Sequence, residues 1–204
     1  NSKMNYYHKP QISLNHLWAA SEKLVVSNVL YVSLGNGGGT GANPSISADN
    51  FGADNQIDFQ SIYDNNSGNT RHPFLGDLSI DINYSPTEHK ATQFIRSSIN
   101  NHRWFGLLST YNHETSEEIT LSGGIDLRHY TGEHYREAYD LLGGDYYVAN
   151  DNVAASDSSA IIRKGDKFSY HNDGIVKWAG VFQQMEYKAG NWTAFVNVSL
   201  SNTG

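Results

Sequence analysis

The sequence predicts an all-β protein built as an antiparallel meander, and three observations lead to this fold class. Apolar and polar residues alternate over several segments, which is the period of a strand with one apolar face. Short polar breaks between these segments predict hairpin turns. The composition agrees, because 13 Tyr, 8 Phe, 4 Trp and 19 Gly in 204 residues are typical of many strands joined by glycine-rich connections.

The first predicted hairpin lies at the start of the chain. Apolar residues share one parity over Tyr6 to Trp18 and again over Leu24 to Leu34, and the polar break Ser21 to Lys23 joins the two runs. The glycine-rich run Asn36 to Gly41 then ends the alternation. We therefore predict a long, non-periodic loop near residues 36–100.

The second predicted hairpin follows that loop. Alternation resumes over Asn101 to Tyr111, and the polar stretch Asn112 to Glu117 separates it from the clearest strand of the sequence, Ile119 to Leu127. Asp126 and Arg128 share the polar parity of that strand. The pattern predicts two strands joined by a tight turn.

The third predicted hairpin closes the pattern after a second long loop, near residues 130–174. Within this loop, Tyr135 to Leu142 reads as a short helix that ends at a glycine pair. The hairpin itself covers Val176 to Lys188 and Trp192 to Leu200. The whole chain, residues 1–204, is thus predicted to hold about six strands.

Charge and composition exclude several functions. A formal net charge of −7 disfavours a nucleic-acid partner, which needs a clustered basic face. The absence of cysteine excludes disulfides, thiolate zinc sites and a cysteine nucleophile. Neither a G-x-S-x-G elbow nor a recognised metal-ligand spacing occurs, so we predict no cofactor, no metal site and no enzymatic activity.

Two architectures fit the alternation, a transmembrane β-barrel and a soluble β-sandwich. Both alternate polar and apolar residues and carry aromatic residues at strand ends. The connections, however, run short, long, short, long, short, and this places the three tight turns at one end of the strands. Because bacterial barrels have short turns on one side and long loops outside, the asymmetry favours the barrel.

Several stretches resemble the barrel region of TonB-dependent outer-membrane receptors, which import scarce nutrients in Gram-negative bacteria. The quoted stretches are YYHKPQISLNHLW (Tyr6 to Trp18), SNVLYVSLGNGGGTG (Ser27 to Gly41), NHRWFGLLSTY (Asn101 to Tyr111), LSGGIDLRHYTGEHY (Leu121 to Tyr135), DLLGGDYY (Asp140 to Tyr147) and GVFQQMEYKAGNWTAF (Gly180 to Phe195). The resemblance implies a segment of a 22-stranded outer-membrane barrel with long extracellular loops. The plug domain of that family is not found in this sequence, so we expect an internal piece of a longer chain.

The resemblance also implies a function, a location and partners. The function would be TonB-dependent uptake of a metal chelate, cofactor or oligosaccharide across the cell outer membrane, without chemical change. The partners would be the TonB complex, acting through the plug, outer-membrane lipid, the imported small molecule or oligosaccharide, and a surface lipoprotein. The alternative is a soluble secreted β-sandwich that binds carbohydrate through aromatic loops.

Five residues are candidates for the functional surface. Arg103, Asp126 and Arg128 are the charged strand residues expected to face the barrel lumen or its plug. Tyr146 and Tyr147 are the loop aromatics that we expect to contact ligand, since exposed rings stack on sugars and planar chelates. Packing inside the loop is the structural alternative for these rings.

Overall fold

The computed structural model describes residues 2–45, 51–72, 76–150 and 160–204. These residues form long strands, several very short ones and one helix. The elements are β1 (Asn5–His8), β2 (Gln11–Ser21), β3 (Leu24–Asn43), α1 (Phe59–Asn66), β4 (Arg71–His72), β5 (Gly76–Asp77), β6 (Phe94–Glu114), β7 (Ile119–Asp140), β8 (Tyr147–Ala149), β9 (Ala160–Ile162), β10 (Lys167–Ala189) and β11 (Trp192–Thr203).

One seven-stranded sheet contains all the long strands. Its order is β1-β3-β6-β7-β10-β11, and β2 pairs with β3 on the side that β1 also uses. Two further sheets have two strands each, β4 with β5 and β8 with β9. The predicted all-β antiparallel meander is therefore confirmed. Within the described residues the large sheet is open, with β1 and β2 at one edge and β11 at the other.

The chain divides into two compact units, and the long strands β3, β6, β7 and β10 contribute to both. Unit 1 consists of Asn1–His8, Asn36–Asn101 and Glu133–Asn172. Unit 2 consists of Lys9–Gly35, His102–Gly132 and Asp173–Gly204.

Unit 2 contains the three predicted hairpins with their tight turns. In β2–β3, Ile12 lies opposite Val32 and Leu14 opposite Leu30, and in β10–β11, Val181 lies opposite Leu200. Backbone hydrogen bonds join one turn to the next: Glu114 N to Lys23 O at 2.8 Å and Lys188 N to Glu118 O at 2.8 Å. The prediction that all three turns share one end of the sheet is confirmed.

The first predicted strand is interrupted at Lys9–Pro10, which separates β1 from β2. Proline has no backbone N–H and cannot complete a sheet ladder in the middle of a strand. Its carbonyl still accepts a hydrogen bond from Leu34 N at 3.1 Å. β2 therefore begins directly after the proline.

The glycine-rich run is part of a strand, although its sequence predicts a loop. β3 continues to Asn43, and β1 pairs with it from Asn5 opposite Gly39 to His8 opposite Asn36. A Cβ on Gly37 would lie 2.4 Å from the ring of Tyr7. Glycine is needed here because the tyrosine ring lies directly on the backbone of β3.

The predicted helix at Tyr135 to Leu142 is wrong, because β7 continues as a strand to Asp140. Ala138 in this segment is fully buried in a cluster with Phe94 and Phe168. The packing of this strand against neighbouring strands overrides a local preference for helix. The chain does turn directly after the strand, where Gly143 has a φ of 89°.

Unit 1 has an apolar core. The buried cluster joins β6, β7, β8, β9 and β10, and its members are Ala91, Phe94, Ala138, Leu141, Ala149, Ile162 and Phe168. The rings of Phe94 and Phe168 lie 5.6 Å apart, and Tyr147 packs on Phe94 at 4.6 Å. Unit 1 therefore packs in the manner of an ordinary globular domain.

The buried side-chain amide of Asn66 connects α1 by hydrogen bonds to distant segments of unit 1. Asp58 caps α1 by accepting a hydrogen bond from Ser61 N at 2.9 Å. Asn66, the last residue of α1, is fully buried; its Nδ2 donates to Gln93 O (2.8 Å) and Leu141 O (3.0 Å), and its Oδ1 accepts from Thr92 N (2.9 Å). These bonds satisfy backbone groups of two distant segments.

Unit 2 has no such core. Every buried hydrophobic side chain in the described residues belongs to unit 1. In unit 2 the aliphatic side chains of the hairpins are exposed instead, for example Ile12 at 70%, Val198 at 68% and Leu200 at 74%. No helix among the described residues is long and apolar enough to cross a membrane.

Candidate functional site

The sheet of unit 2 has an apolar face, which we define as the face of Leu14 and Leu30 in β2–β3 and of Val181 and Leu200 in β10–β11; most of the exposed aliphatic side chains lie on it. In β2–β3 and β10–β11 these positions are opposite one another, for example Leu14 with Leu30 and Met185 with Val196. The members include Ile12, Leu14, Trp18, Leu30, Ile125, Leu127, Val181, Met185, Val196, Val198 and Leu200.

Side-chain bonds show that these positions lie on the same face from one edge to the other. Ser109 Oγ donates to Asn28 Oδ1 at 2.6 Å, which links β6 to the apolar face of β3. Tyr111, two residues on in β6, donates its hydroxyl hydrogen to Gln183 Oε1 on β10. Because residues two apart in a strand share a face, the apolar face is continuous across the sheet.

The opposite face of unit 2, the polar face, carries two of the predicted charged residues. Arg128 binds Asp126 in a two-point ion pair, with Nη2 to Oδ2 at 2.5 Å and Nε to Oδ1 at 3.0 Å. The two residues therefore share one face, as their parity in the sequence indicates, and they pair with each other. This face also holds hydrophobic side chains, Leu17 and Phe195 among them.

Arg103 is not brought to this pair. It is exposed and alternates in β6 with Trp104, whose Nε1 donates to the hydroxyl of Tyr31 on the polar face at 3.2 Å. Successive residues of a strand point to opposite faces. The side chain of Arg103 therefore leaves the sheet on the side of the apolar face.

An aromatic cavity of about 520 Å³ lies over the polar face of unit 2. Its walls include Lys9, His102, Trp104, Arg128, Tyr130 and Trp178. The rings of Trp104 and Tyr130 are 5.4 Å apart and nearly perpendicular. Such a cavity can stack a planar or sugar-like group and hold one polar group against the guanidinium of Arg128.

Alternation alone does not predict this cavity, because Trp104, Tyr130 and Trp178 come from three different strands. The signal that could have found it is parity. Tyr130 lies two residues after Arg128 in the same strand, so both side chains leave the same face.

The two loop tyrosines lie in the packed part of unit 1. Tyr146 is 1% exposed, and its backbone carbonyl accepts from Ala91 N at 2.7 Å. Burial raises the pKa of its phenol. Tyr147 is half-buried against Phe94. The structure therefore gives both rings packing partners inside unit 1.

A charged cluster lies where β7 and β10 run through unit 1. Glu133 Oε1 is 2.9 Å from Lys167 Nζ and 3.0 Å from His171 Nε2, and its Oε2 accepts from Asn101 Nδ2 at 3.3 Å. Lys167, followed by Asn101 and His171, lowers the pKa of Glu133 to about 2. The same ammonium lies 4.0 Å over the ring of Tyr135, so the cluster is a network of compensated charges.

Comparison with known proteins gives no relative. No family model, no curated protein and no solved structure matches this chain. What the chain does is therefore inferred from its own residues.

Proposed function

We propose that this chain is part of an outer-membrane transport receptor, in which the sheet of unit 2 lies in the bilayer and unit 1 is exposed outside the cell. The receptor takes up a scarce ligand through TonB-dependent transport, and its chain carries no catalytic site. The observation that carries this proposal is the apolar face of unit 2, whose aliphatic side chains are exposed while the unit has no buried core in the described residues.

Burial energetics support a lipid environment for this face. Fully burying one aliphatic side chain is worth about 1.5–3 kcal/mol, so a face of many exposed Leu, Ile and Val side chains is costly in water. Strands of a membrane barrel alternate apolar residues toward lipid with polar residues toward the lumen. Unit 2 has this alternation in β10–β11, where Val181 and Leu200 face one way and Gln184 and Asn197 the other.

The turn pattern supports the orientation. Tight turns at one end of unit 2 are typical of the periplasmic side of outer-membrane barrels, and long connections are typical of the outside. The long connections of this chain, between β3 and β6 and between β7 and β10, belong to unit 1. In the proposed receptor, the remaining strands of a barrel would pair with the open edges at β2 and β11, since unpaired edges are not tolerated in lipid.

Because the sequence contains no cysteine, single-cysteine labelling can test the proposal. Val198→Cys lies on the apolar face, and the adjacent Asn197→Cys on the polar face is its matched control. The full chain would carry an environment-sensitive fluorophore at each position, in vesicles with brominated acyl chains. We expect strong quenching and a blue shift at position 198 and weak quenching at 197. Equal quenching at both positions, or none at either, would contradict the bilayer location.

Transport needs a separate test in cells. We expect the protein in the outer-membrane fraction of the source bacterium, as a heat-modifiable band, and we expect uptake of its ligand to stop when TonB is deleted. A soluble protein in the periplasm or medium would contradict the receptor proposal.

A carbohydrate-binding function is the second candidate, and the aromatic cavity of unit 2 favours it. Walls of Trp and Tyr are typical of sugar sites. A soluble binding module would bind oligosaccharide in aqueous buffer without detergent, and Trp104→Ala would weaken that binding. The sandwich architecture has less support, because the described residues contain no second sheet of comparable size.

A further inference from the structure

We infer that Arg96 and Arg136 in unit 1 form a binding site for a small organic oxyanion, a carboxylate or a phosphate ester. This inference goes beyond the proposed transport function, because it depends on unit 1 alone and holds whether or not unit 2 lies in a membrane. Neither arginine was singled out by the sequence.

Arg96 and Arg136 lie on the same face of the paired strands β6 and β7, because His134 Nδ1 lies 2.6 Å from Asn100 Oδ1 and every second residue of a strand shares a face. Burial, and after it the positive charge of Arg136, lowers the pKa of Arg96. Among the described residues, no carboxylate lies within ion-pair distance of either guanidinium, although the chain has 21 acidic and only 14 basic residues. Two half-buried like charges are unfavourable unless an anion joins them.

The described residues supply few hydrogen-bond acceptors to the two guanidinium groups. A guanidinium has five N–H donors. In the described residues, Arg96 Nη1 donates to Ser98 Oγ at 2.5 Å, and Arg136 Nη1 makes a long bond of 3.4 Å to Ser169 Oγ. Arg136 Nε is shielded from solvent and has no hydrogen-bond partner there. A bound oxyanion would satisfy such donors, and the forked geometry of arginine suits its oxygens.

Neighbouring residues hold the pair in place. The ring of Tyr170 lies 5.4 Å from Arg136 Cζ, which fixes that guanidinium by a cation–π contact. Arg96 lies flat on Gly41, where a Cβ would be 3.4 Å from its Nη2. Ser169, the hydroxyl partner of Arg136, has a φ of 65°, and strained backbone of this kind is often found at binding sites.

A cavity beside Arg96 gives the ligand room for an organic body. Its volume is about 500 Å³, which is in the range of small-molecule sites. Its walls combine Arg96 and Lys3 with the apolar side chains of Phe51 and Ile57. A small organic acid or a phosphorylated metabolite fits this combination of charge and apolar surface.

Calorimetry on the full chain in a neutral detergent tests the site, with citrate and inorganic phosphate as separate probes at constant ionic strength. We expect at least one probe to bind, and Arg96→Gln and Arg136→Gln each to weaken that binding by about tenfold or more. Preference for citrate would identify a carboxylate ligand, and preference for phosphate a phosphate ester. The matched control is Arg163→Gln, because Arg163 is exposed and paired with Glu88 at 2.9 Å.

Stability measurements separate a binding role from a structural one. Without probe, the Gln variants should unfold at the same temperature as the wild type or at a slightly higher one, because the repulsion between the two arginines is removed. Arg96→Lys keeps the positive charge but loses the forked donor geometry of a guanidinium, so this variant should fold and bind the probe weakly. If neither probe binds the wild type, or if the Gln variants bind as well as Arg163→Gln, the site does not exist. Neither result would change the interpretation of the fluorophore-labelling experiment at positions 197 and 198.

Discussion

Unit 1 and unit 2 share four long strands, yet the apolar side chains of the two units have different surroundings. In unit 1, strands β6, β7 and β10 bury Phe94, Ala138 and Phe168 against one another. In unit 2, the same strands expose side chains such as Phe105, Leu127 and Val181. A single strand can therefore have buried apolar side chains in one unit and exposed ones in the other, as β6, β7 and β10 do.

The largest effect should come from the core of unit 1. Phe94→Ala removes a fully buried ring that contacts Phe168 and Tyr147, and we expect it to lower the free energy of unfolding by about 3–5 kcal/mol. Denaturant unfolding in detergent measures this change. The matched variant in unit 2, Phe195→Ala, removes a ring that is 69% exposed and should have a far smaller effect in the same detergent. Equal losses would remove the distinction between the units.

A charge on the apolar face should be costly in a bilayer. Leu127→Arg is expected to cost about 2–4 kcal/mol if the residue faces lipid near the midplane. Its neighbour on the polar face provides the control: Arg128→Ala breaks a partly exposed ion pair and should cost about 1 kcal/mol or less. Folding into vesicles, followed by resistance to heat and protease, would measure both. Equal tolerance would contradict the assignment of the two faces.

Glycine substitutions should distinguish a glycine that contacts a neighbouring strand closely from one that has open space around it. A Cβ on Gly38 would meet the carbonyl oxygen of Ser98 at 2.6 Å, so Gly38→Ala must push two paired strands apart and should cost about 1–3 kcal/mol. Gly174 in unit 2 has no atom within 4 Å of its would-be Cβ. Gly174→Ala should therefore be nearly neutral. Thermal unfolding of the two variants under identical conditions is the measurement.

The smallest effect should be the pH dependence of unit 1. The folded pKa of Glu133, about 2, lies below its usual 4.5, so its contribution is complete above pH 4.5 and is lost as the pH falls toward 2. Because Glu133 is partly exposed, we expect about 1 kcal/mol or less. Unfolding curves between pH 2 and pH 6 should converge for wild type and Glu133→Gln at the acid end. A constant difference across that range would mean that the ion pair does not contribute.

Much of unit 2 could be predicted from the sequence, because its strands have one face that is mostly apolar. The alternation of residues such as Leu14, Val181 and Val198 with polar neighbours indicates the period, and the polar breaks indicate the turns. The same parity shows that Asp126 and Arg128 share a face, but not that they pair with each other rather than with neighbouring strands. The aromatic cavity required one more step, since parity shows only that side chains share a face and not which neighbours surround them.

Unit 1 was harder to predict, because its structure depends on contacts between distant residues. The glycines of β3 carry no side-chain pattern, and Ala138 reads as helical until Phe94 and Phe168 are placed beside it. α1 also escaped prediction, although Asp58 three residues before Ser61 is a capping signal. The sequence does not indicate the Arg96–Arg136 pair, because most of β6, a turn and most of β7 lie between the two arginines.

The amide of Asn66 limits how unit 1 can be assembled and rearranged. It bonds backbone groups 26 residues away at Thr92 and 75 residues away at Leu141, so α1 stays incompletely anchored until the chain has been made to the end of β7. The first long connection grafted alone onto another scaffold would lose the bonds from Asn66 to Leu141 and Leu142, and the second alone would lack Asn66 itself. The smallest transplantable piece contains both connections, and sequence change in one is constrained by the other.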